Sequence, residues 1–257
     1  MRKGTFRLSS NIADGFFDVS SYIATPNARR VSGIIADDFK TGMHSFTIVG
    51  AYGTGKSSFL LQLENDLLEG KKKYTLIAPQ SLHSGAYEVM NIVGDYAELA
   101  LILQEQLKFT SLKGSVLDQL NGYYQQLVKE GKFLVIVIDE FGKILEHAAK
   151  NNPERELYFL QKFAEFVNLP SRNILLLTTL HQNFGAYSKG LTEAQINEWI
   201  KVKGRFREVT FVEPVEQLLY LAAQQKKTEK ILYANADQLI ALGHKTQFVT
   251  DMFSEDS

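Results

Sequence analysis

The sequence predicts an α/β fold, a doubly wound parallel sheet with a small helical segment at its carboxyl end. Two observations carry that expectation. Apolar runs of strand length, around Phe46–Val49, Phe133–Ile138 and Ile174–Leu177, show no polar alternation, which marks strands covered on both faces. Amphipathic helical patterns separate these runs, and strands that alternate with helices assemble into a parallel sheet through right-handed crossovers. The chain of 257 residues is long enough for one such domain and a smaller addition.

The elements follow in order. Residues 1–24 are mixed. Thr25-Pro26 reads as the cap and first residue of a helix running through Ile34 and Phe39 to Gly42. A strand covers 45–49, and a helix follows to about Gly70. A second strand is expected over Tyr74–Ala78, stopped by Pro79, with irregular or short extended pieces over 80–94. Leu99, Ile102, Leu103 and Leu107 recur at helical spacing within 95–108, as do Val116, Leu120, Tyr123, Tyr124 and Leu127 within 115–130. After the strand at 133–138, Asn152-Pro153 caps a helix to Asn168. A buried strand at 174–178 leads into a polar loop over 181–190. Thr192 and Gln195 have capping-box spacing and open a helix to Val202. A short strand at 209–212 ends at Pro214, and 215–257 has helical patterning. The expected division is a main domain over 1–213 and a helical segment over 214–257.

Composition narrows the function classes. There is no cysteine, which excludes disulfides and thiolate metal sites. The histidines (His44, His83, His147, His181, His244) show no metal spacing. A net charge of −1 gives no global field toward nucleic acid. No apolar run reaches the ~20 residues that span a bilayer, so no membrane partner is expected. Arg2-Lys3 is followed by polar residues and not by a signal-peptide core, and the expected location is cytoplasmic.

The most informative stretch is Gly50-Ala51-Tyr52-Gly53-Thr54-Gly55-Lys56-Ser57. It fits G-x-x-x-x-G-K-[ST] and lies between a strand and a helix, where a phosphate-binding loop has to lie. Gly50, Gly53 and Gly55 let backbone N–H groups of the loop, including those of Thr54 and Ser58 at its end, turn toward phosphate oxygens, with the helix N-terminus adding a favourable dipole. Lys56 is the cation for the terminal phosphates, and Ser57 offers a hydroxyl to Mg²⁺. The expected cofactors are therefore ATP and Mg²⁺, and the sheet is expected to be of the P-loop NTPase type.

Asp139-Glu140 ends the most apolar strand. A carboxylate there holds the water shell of the Mg²⁺ that Ser57 also binds, and Glu140 can act as general base on the attacking water. The pair favours hydrolysis over nucleotide sensing alone. The end of the next strand offers Thr179 and Gln182, with His181 a third choice, as groups that touch the terminal phosphate or the water.

Taken together, these residues resemble the AAA+ superfamily of P-loop ATPases, including its STAND-like and origin-recognition-like branches. A third stretch, Lys203-Gly204-Arg205-Phe206-Arg207-Glu208 running on to Pro214, is similar to the family segment that precedes the last strand. There the family places an arginine that reaches the neighbouring subunit's nucleotide. The resemblance puts that role on Arg205, with Arg207 as fallback. A second family arginine falls at Val202 here. The resemblance further implies a homo-oligomer acting as a motor or switch for a partner protein or a further domain of a longer chain, in processes that include DNA-related and anti-phage defence work. The family's helical lid carries an arginine, and the stretch after Pro214 contains none, so the expectation is that the natural chain continues. Two other functions compete: a nucleotide-dependent assembly or signalling module with slow turnover, and a small-molecule kinase.

Overall fold

The structure is a computed structural model that describes Ile12 and residues 22–69, 86–108 and 113–213. The chain divides into two compact units, Met1–Val212 and Glu213–Ser257. The strand expected over 74–78 and the helical segment expected over 214–257 lie outside the described residues.

Five strands form one parallel sheet: β1 (Ser45–Val49), β2 (Ala86–Val93), β3 (Lys132–Asp139), β4 (Ile174–Leu180) and β5 (Arg207–Thr210). Their order is β2-β3-β4-β1-β5, and every neighbouring pair is parallel. β4 is thus inserted between β1, which leads into the Gly50–Ser57 loop, and the strand bearing Asp139. Parallel direction brings the carboxyl ends of all three to one edge, where ligands of such sheets bind.

Seven α-helices are described: α1 (Pro26–Lys40), α2 (Lys56–Glu69), α3 (Leu99–Gln106), α4 (Val116–Lys129), α5 (Phe141–Lys150), α6 (Pro153–Val167) and α7 (Glu193–Lys203). The two-residue period of a strand sends alternate side chains to opposite faces. On β3, Phe133, Val135 and Val137 join a core with α1 and α2, which supply Val31, Ile35, Phe59 and Leu63. Leu134, Ile136 and Ile138 join a second core with α3 to α7. Each face of the sheet is therefore closed by helices, as the unalternating apolar runs require.

Local capping follows the sequence at two helices. The Thr25 hydroxyl accepts from Ala28 N at 3.0 Å, and Thr192 and Gln195 form a reciprocal capping box. Asn152 differs: it precedes α6 in a left-handed conformation (φ 48°) and its side chain makes no capping hydrogen bond.

Three further departures have physical reasons. Residues 86–93 form a regular strand and not irregular pieces. Among the described residues β2 pairs with β3 alone, and Glu88 and Asn91 find partners in Lys132 and Glu64. Residues 141–150, unassigned from sequence, form α5. β5 covers 207–210, two residues earlier than expected, because Phe46 and Val49 pair with Arg207 and Thr210. Among the described residues no helix is long and apolar enough to cross a membrane.

Candidate functional site

The loop joining β1 to α2 is anchored on both sides. Gly50 N donates to Leu180 O at 3.1 Å, and Phe211 N donates to Val49 O at 2.7 Å. A Cβ on Gly50 would come within 2.2 Å of the Phe211 carbonyl oxygen, so only glycine fits. Gly53 and Gly55 have φ of 76° and 89°, the left-handed region that other residues rarely adopt. The first turn of α2 follows directly on the loop, and a helix start directs backbone N–H groups toward the space before it.

Lys56 is buried and donates through Nζ to Gly50 O at 2.6 Å and Ala51 O at 2.8 Å. Its ammonium is thus curled over the loop it would serve. Burial lowers its pKa, opposed by the charge of Asp139. A cation held by neutral carbonyls in a partly desolvated cradle is suited to an anionic ligand that restores full charge pairing.

Side-chain parity places the acidic pair. Asp139 shares the α2 face of β3 with Val135 and Val137, and Thr179 shares that face of β4 with Leu175 and Leu177. Ser57 Oγ donates to Asp139 Oδ2 at 2.7 Å. Thr179 Oγ1 donates to Asp139 Oδ1 at 2.5 Å and accepts from Glu140 N at 2.9 Å. Glu140 N also lies 3.1 Å from Asp139 Oδ1. These bonds hold Glu140 at φ 56° and ψ 35°, a left-handed backbone that costs a non-glycine residue about 1–2 kcal/mol. Such strain clusters where geometry matters for function. The Glu140 carboxylate pairs with Lys143, one turn along α5.

Ser57 and Asp139 fit a Mg²⁺ ion. They are hard oxygen donors converging at hydrogen-bond distance beside the Gly50–Ser57 loop, and Mg²⁺ needs only one or two protein ligands when phosphates and waters supply the rest.

A cleft of about 350 Å³ opens beside the loop, lined by Tyr52, Glu140, Lys143, Glu146, His181 and Gln182 among others. Of the sequence-predicted residues, Glu140, His181 and Gln182 face it. Thr179 is fully buried, its hydroxyl occupied by Asp139 and Glu140, so it orients the acidic pair and does not reach into the cleft. Burial, followed by the charge of Lys56, lowers the His181 pKa and favours the neutral ring.

Arg205 lies ahead of β5, at the end of the sheet opposite the Gly50–Ser57 loop. Its guanidinium meets Glu165 at 2.5 Å. Arg207 bonds Asp38 at 2.7 Å. The structure thus brings the loop, the acidic pair and the β4 end together in one chain and leaves both arginines elsewhere.

Sequence reasoning missed four contributors. Tyr52 stacks on His181 with centroids 3.3 Å apart. Lys143 pairs with Glu140. Gly94 is pressed against Glu140, since a Cβ there would meet its carbonyl oxygen at 2.4 Å. Glu64, two turns along α2 from Ser57, is buried and accepts from Asn91 Nδ2 at 2.8 Å. Burial pushes Glu64 up to about 7, with the Asn91 bond opposing and Asp139 adding. Its position seven residues after Ser57 was the available signal, because that spacing returns to the same helix face.

No protein-family model matches the sequence, and no curated protein matches it significantly. Solved structures do match in fold. The ADPNP–ADP complexes of the Aeropyrum pernix ORC2 protein align with a TM-score of 0.57 and 15% identity, over 84% of this chain and 55% of theirs. The ADP form of the same protein gives 0.56 at the same identity and coverage. The Aeropyrum pernix ORC1 protein in complex with DNA gives 0.50 at 15% identity, over 84% and 52%. The chain therefore spans about half the length of these proteins. At such identity the likeness is one of fold alone, a parallel α/β sheet covered by helices.

Proposed function

We propose that this chain binds ATP with Mg²⁺ and hydrolyses it to ADP and phosphate, as an AAA+-like ATPase that works as an oligomeric motor or switch for a partner. One observation carries the reading. Ser57, Asp139, Thr179 and Glu140 form a continuous hydrogen-bonded chain beside the phosphate loop, with Lys56 in its cradle.

The residue roles follow from that chain. The loop N–H groups and Lys56 neutralise the phosphate oxygens. Ser57 and Asp139 would hold Mg²⁺, which would supply charge stabilisation at those oxygens. Glu140 takes a proton from water as the water oxygen bonds to the terminal phosphorus, and the bond from that phosphorus to the ADP oxygen breaks. Lys143 has to release the Glu140 carboxylate for this. The pair is half-exposed, and exposed pairs contribute only about 0–1 kcal/mol, so the release is cheap.

Arg205 is proposed to act on a neighbouring subunit's nucleotide. Its partner Glu165 is also bonded by Gln161 and Lys162, each at 3.0 Å. These two hold the Glu165 carboxyl below its usual range, with Arg205 a lesser cause. Glu165 thus stays satisfied when Arg205 leaves. The stretch 214–257 is proposed to begin a lid or a further domain.

The test is phosphate release without any acceptor. The expected result is turnover by the parent and a loss of on the order of 10²-fold or more in Glu140→Gln, with ATP binding retained. Unchanged release in Glu140→Gln would place the base elsewhere. Nucleotide binding without turnover in the parent would favour the second reading, a nucleotide-held assembly module. The Glu140–Lys143 pair speaks for that alternative. Phosphate transfer only with an added acceptor would indicate a kinase.

A further inference from the structure

Tyr52 occupies a variable position of the phosphate loop, where the loop's backbone work requires no particular side chain. Here it is an aromatic ring 77% exposed to solvent, a poor place for a tyrosine with only a packing role. The ring is nonetheless ordered by one contact. It lies on the His181 imidazole with centroids 3.3 Å apart and planes 20° from parallel.

His181 is fixed from the other side as well. Its backbone N lies 3.4 Å from the Tyr187 hydroxyl, and Tyr187 is seated on Gly142, where a Cβ would come within 2.6 Å of that hydroxyl. The imidazole Nδ1 is shielded from solvent and makes no hydrogen bond. A shielded polar atom without a partner costs on the order of 1–3 kcal/mol, and such an atom calls for an explanation. The ring lines the same cleft as Glu140 and Lys143. That cleft borders the loop at Ala51 and Tyr52.

We propose that Tyr52 is a positioning residue for terminal-phosphate recognition: by stacking on His181 it holds the imidazole over the cleft, so that the chain distinguishes a nucleoside triphosphate from a diphosphate. The inference rests on the nucleotide-binding reading above. It adds a loop side chain to recognition that the loop otherwise performs through its backbone. Thr179 is excluded from this role because its hydroxyl is committed to Asp139 and Glu140.

The test compares the affinities of a non-hydrolysable ATP analogue and of ADP, both with Mg²⁺, by calorimetry. A hydrogen bond to a charged phosphate oxygen corresponds to about tenfold in affinity. Tyr52→Ala and His181→Ala should each reduce the preference for the analogue over ADP by about that factor, while ADP affinity stays parental and certifies a folded loop. Tyr52→Phe keeps the stack and should keep the parental preference. The double variant Tyr52→Ala/His181→Ala should lose no more than either single variant, because the two side chains act as one unit. Full preference in Tyr52→Ala would overturn the inference, as would additive losses or equal weakening of both nucleotides. A parent that binds both nucleotides equally would overturn it while leaving the phosphate-loop reading intact. A parent that binds neither would overturn the reading of the site itself.

Discussion

Replacing Thr179 by valine tests the heart of the site without touching any group proposed to meet the nucleotide. Valine keeps the shape of a fully buried side chain and removes one hydroxyl. That hydroxyl donates to Asp139 Oδ1 at 2.5 Å and accepts from Glu140 N at 2.9 Å. Loss of a hydrogen bond to a charged group costs about 1.5–3 kcal/mol. Glu140 N retains Asp139 Oδ1 at 3.1 Å, so the expected loss of stability is about 2 kcal/mol. For a domain of this size that corresponds to ~4–8 °C in melting temperature. The second effect is more specific. Without Thr179, Asp139 is no longer oriented toward Ser57, and loss of an outer-shell partner weakens metal binding by about 10–100-fold. The Mg²⁺ concentration that half-saturates ATP binding should rise by at least the lower of those factors. Thr179→Ser keeps the hydroxyl and should stay near parental. Thermal melts with Mg²⁺ titrations of ATP binding read both effects. Parental Mg²⁺ dependence in Thr179→Val, or a Thr179→Ser variant as defective as valine, would refute the orienting role.

Two further outcomes follow from the same geometry. Glu64 is pushed up to about 7 from an ordinary 4.5, so the folded chain holds a proton that the unfolded chain releases. Its stability contribution is complete below about pH 4.5 and is lost as pH rises through about 7, a change of ~3 kcal/mol at most. Glu64→Gln should remove that share of the fall in denaturation midpoint between pH 5 and 8, leaving the part due to Glu156, also raised to about 7 chiefly by burial. An unchanged slope would place the titration elsewhere. For Arg205, the Arg205→Ala and Glu140→Gln variants should each be inactive alone and recover phosphate release when mixed and shown by crosslinking to co-assemble. Silent co-assemblies would make Arg205 a structural partner of Glu165.

Much of the fold and the centre of the site were legible because each rested on a strong local rule. Phe133–Ile138 read as a strand covered on both faces, and Gly50–Ser57 forms a glycine-dependent loop between β1 and α2, where the pattern put it. Capping chemistry marked Thr25 and Thr192 correctly. The misses lie where tertiary context overrides local pattern. Glu88 and Asn91 broke the apolar run of β2, a strand held by its pairing with β3 and by the partners Lys132 and Glu64. α5 follows a strained left-handed Glu140 and has Gly142 in its first turn, so no propensity signal announced it. The contacts of Thr179 and Tyr52 join segments far apart in sequence, which spacing alone does not reveal. Residue type suggested a polar group at the end of β4, but strand parity decided that Thr179 faces Asp139 while His181 meets the loop.

The most direct test of the central claim is a calorimetric titration of ATP with Mg²⁺ into the parent and into Lys56→Ala. Lys56 Nζ lies 2.6 Å from Gly50 O and 2.8 Å from Ala51 O, inside the loop proposed to receive the phosphates. Its removal takes away a charge-assisted bond worth about 1.5–3 kcal/mol. The account predicts Mg²⁺-dependent binding by the parent and an affinity at least about tenfold weaker in Lys56→Ala. Equal affinity in the two proteins would contradict the assignment of the phosphate loop, and with it the account of this chain as a nucleotide-driven ATPase.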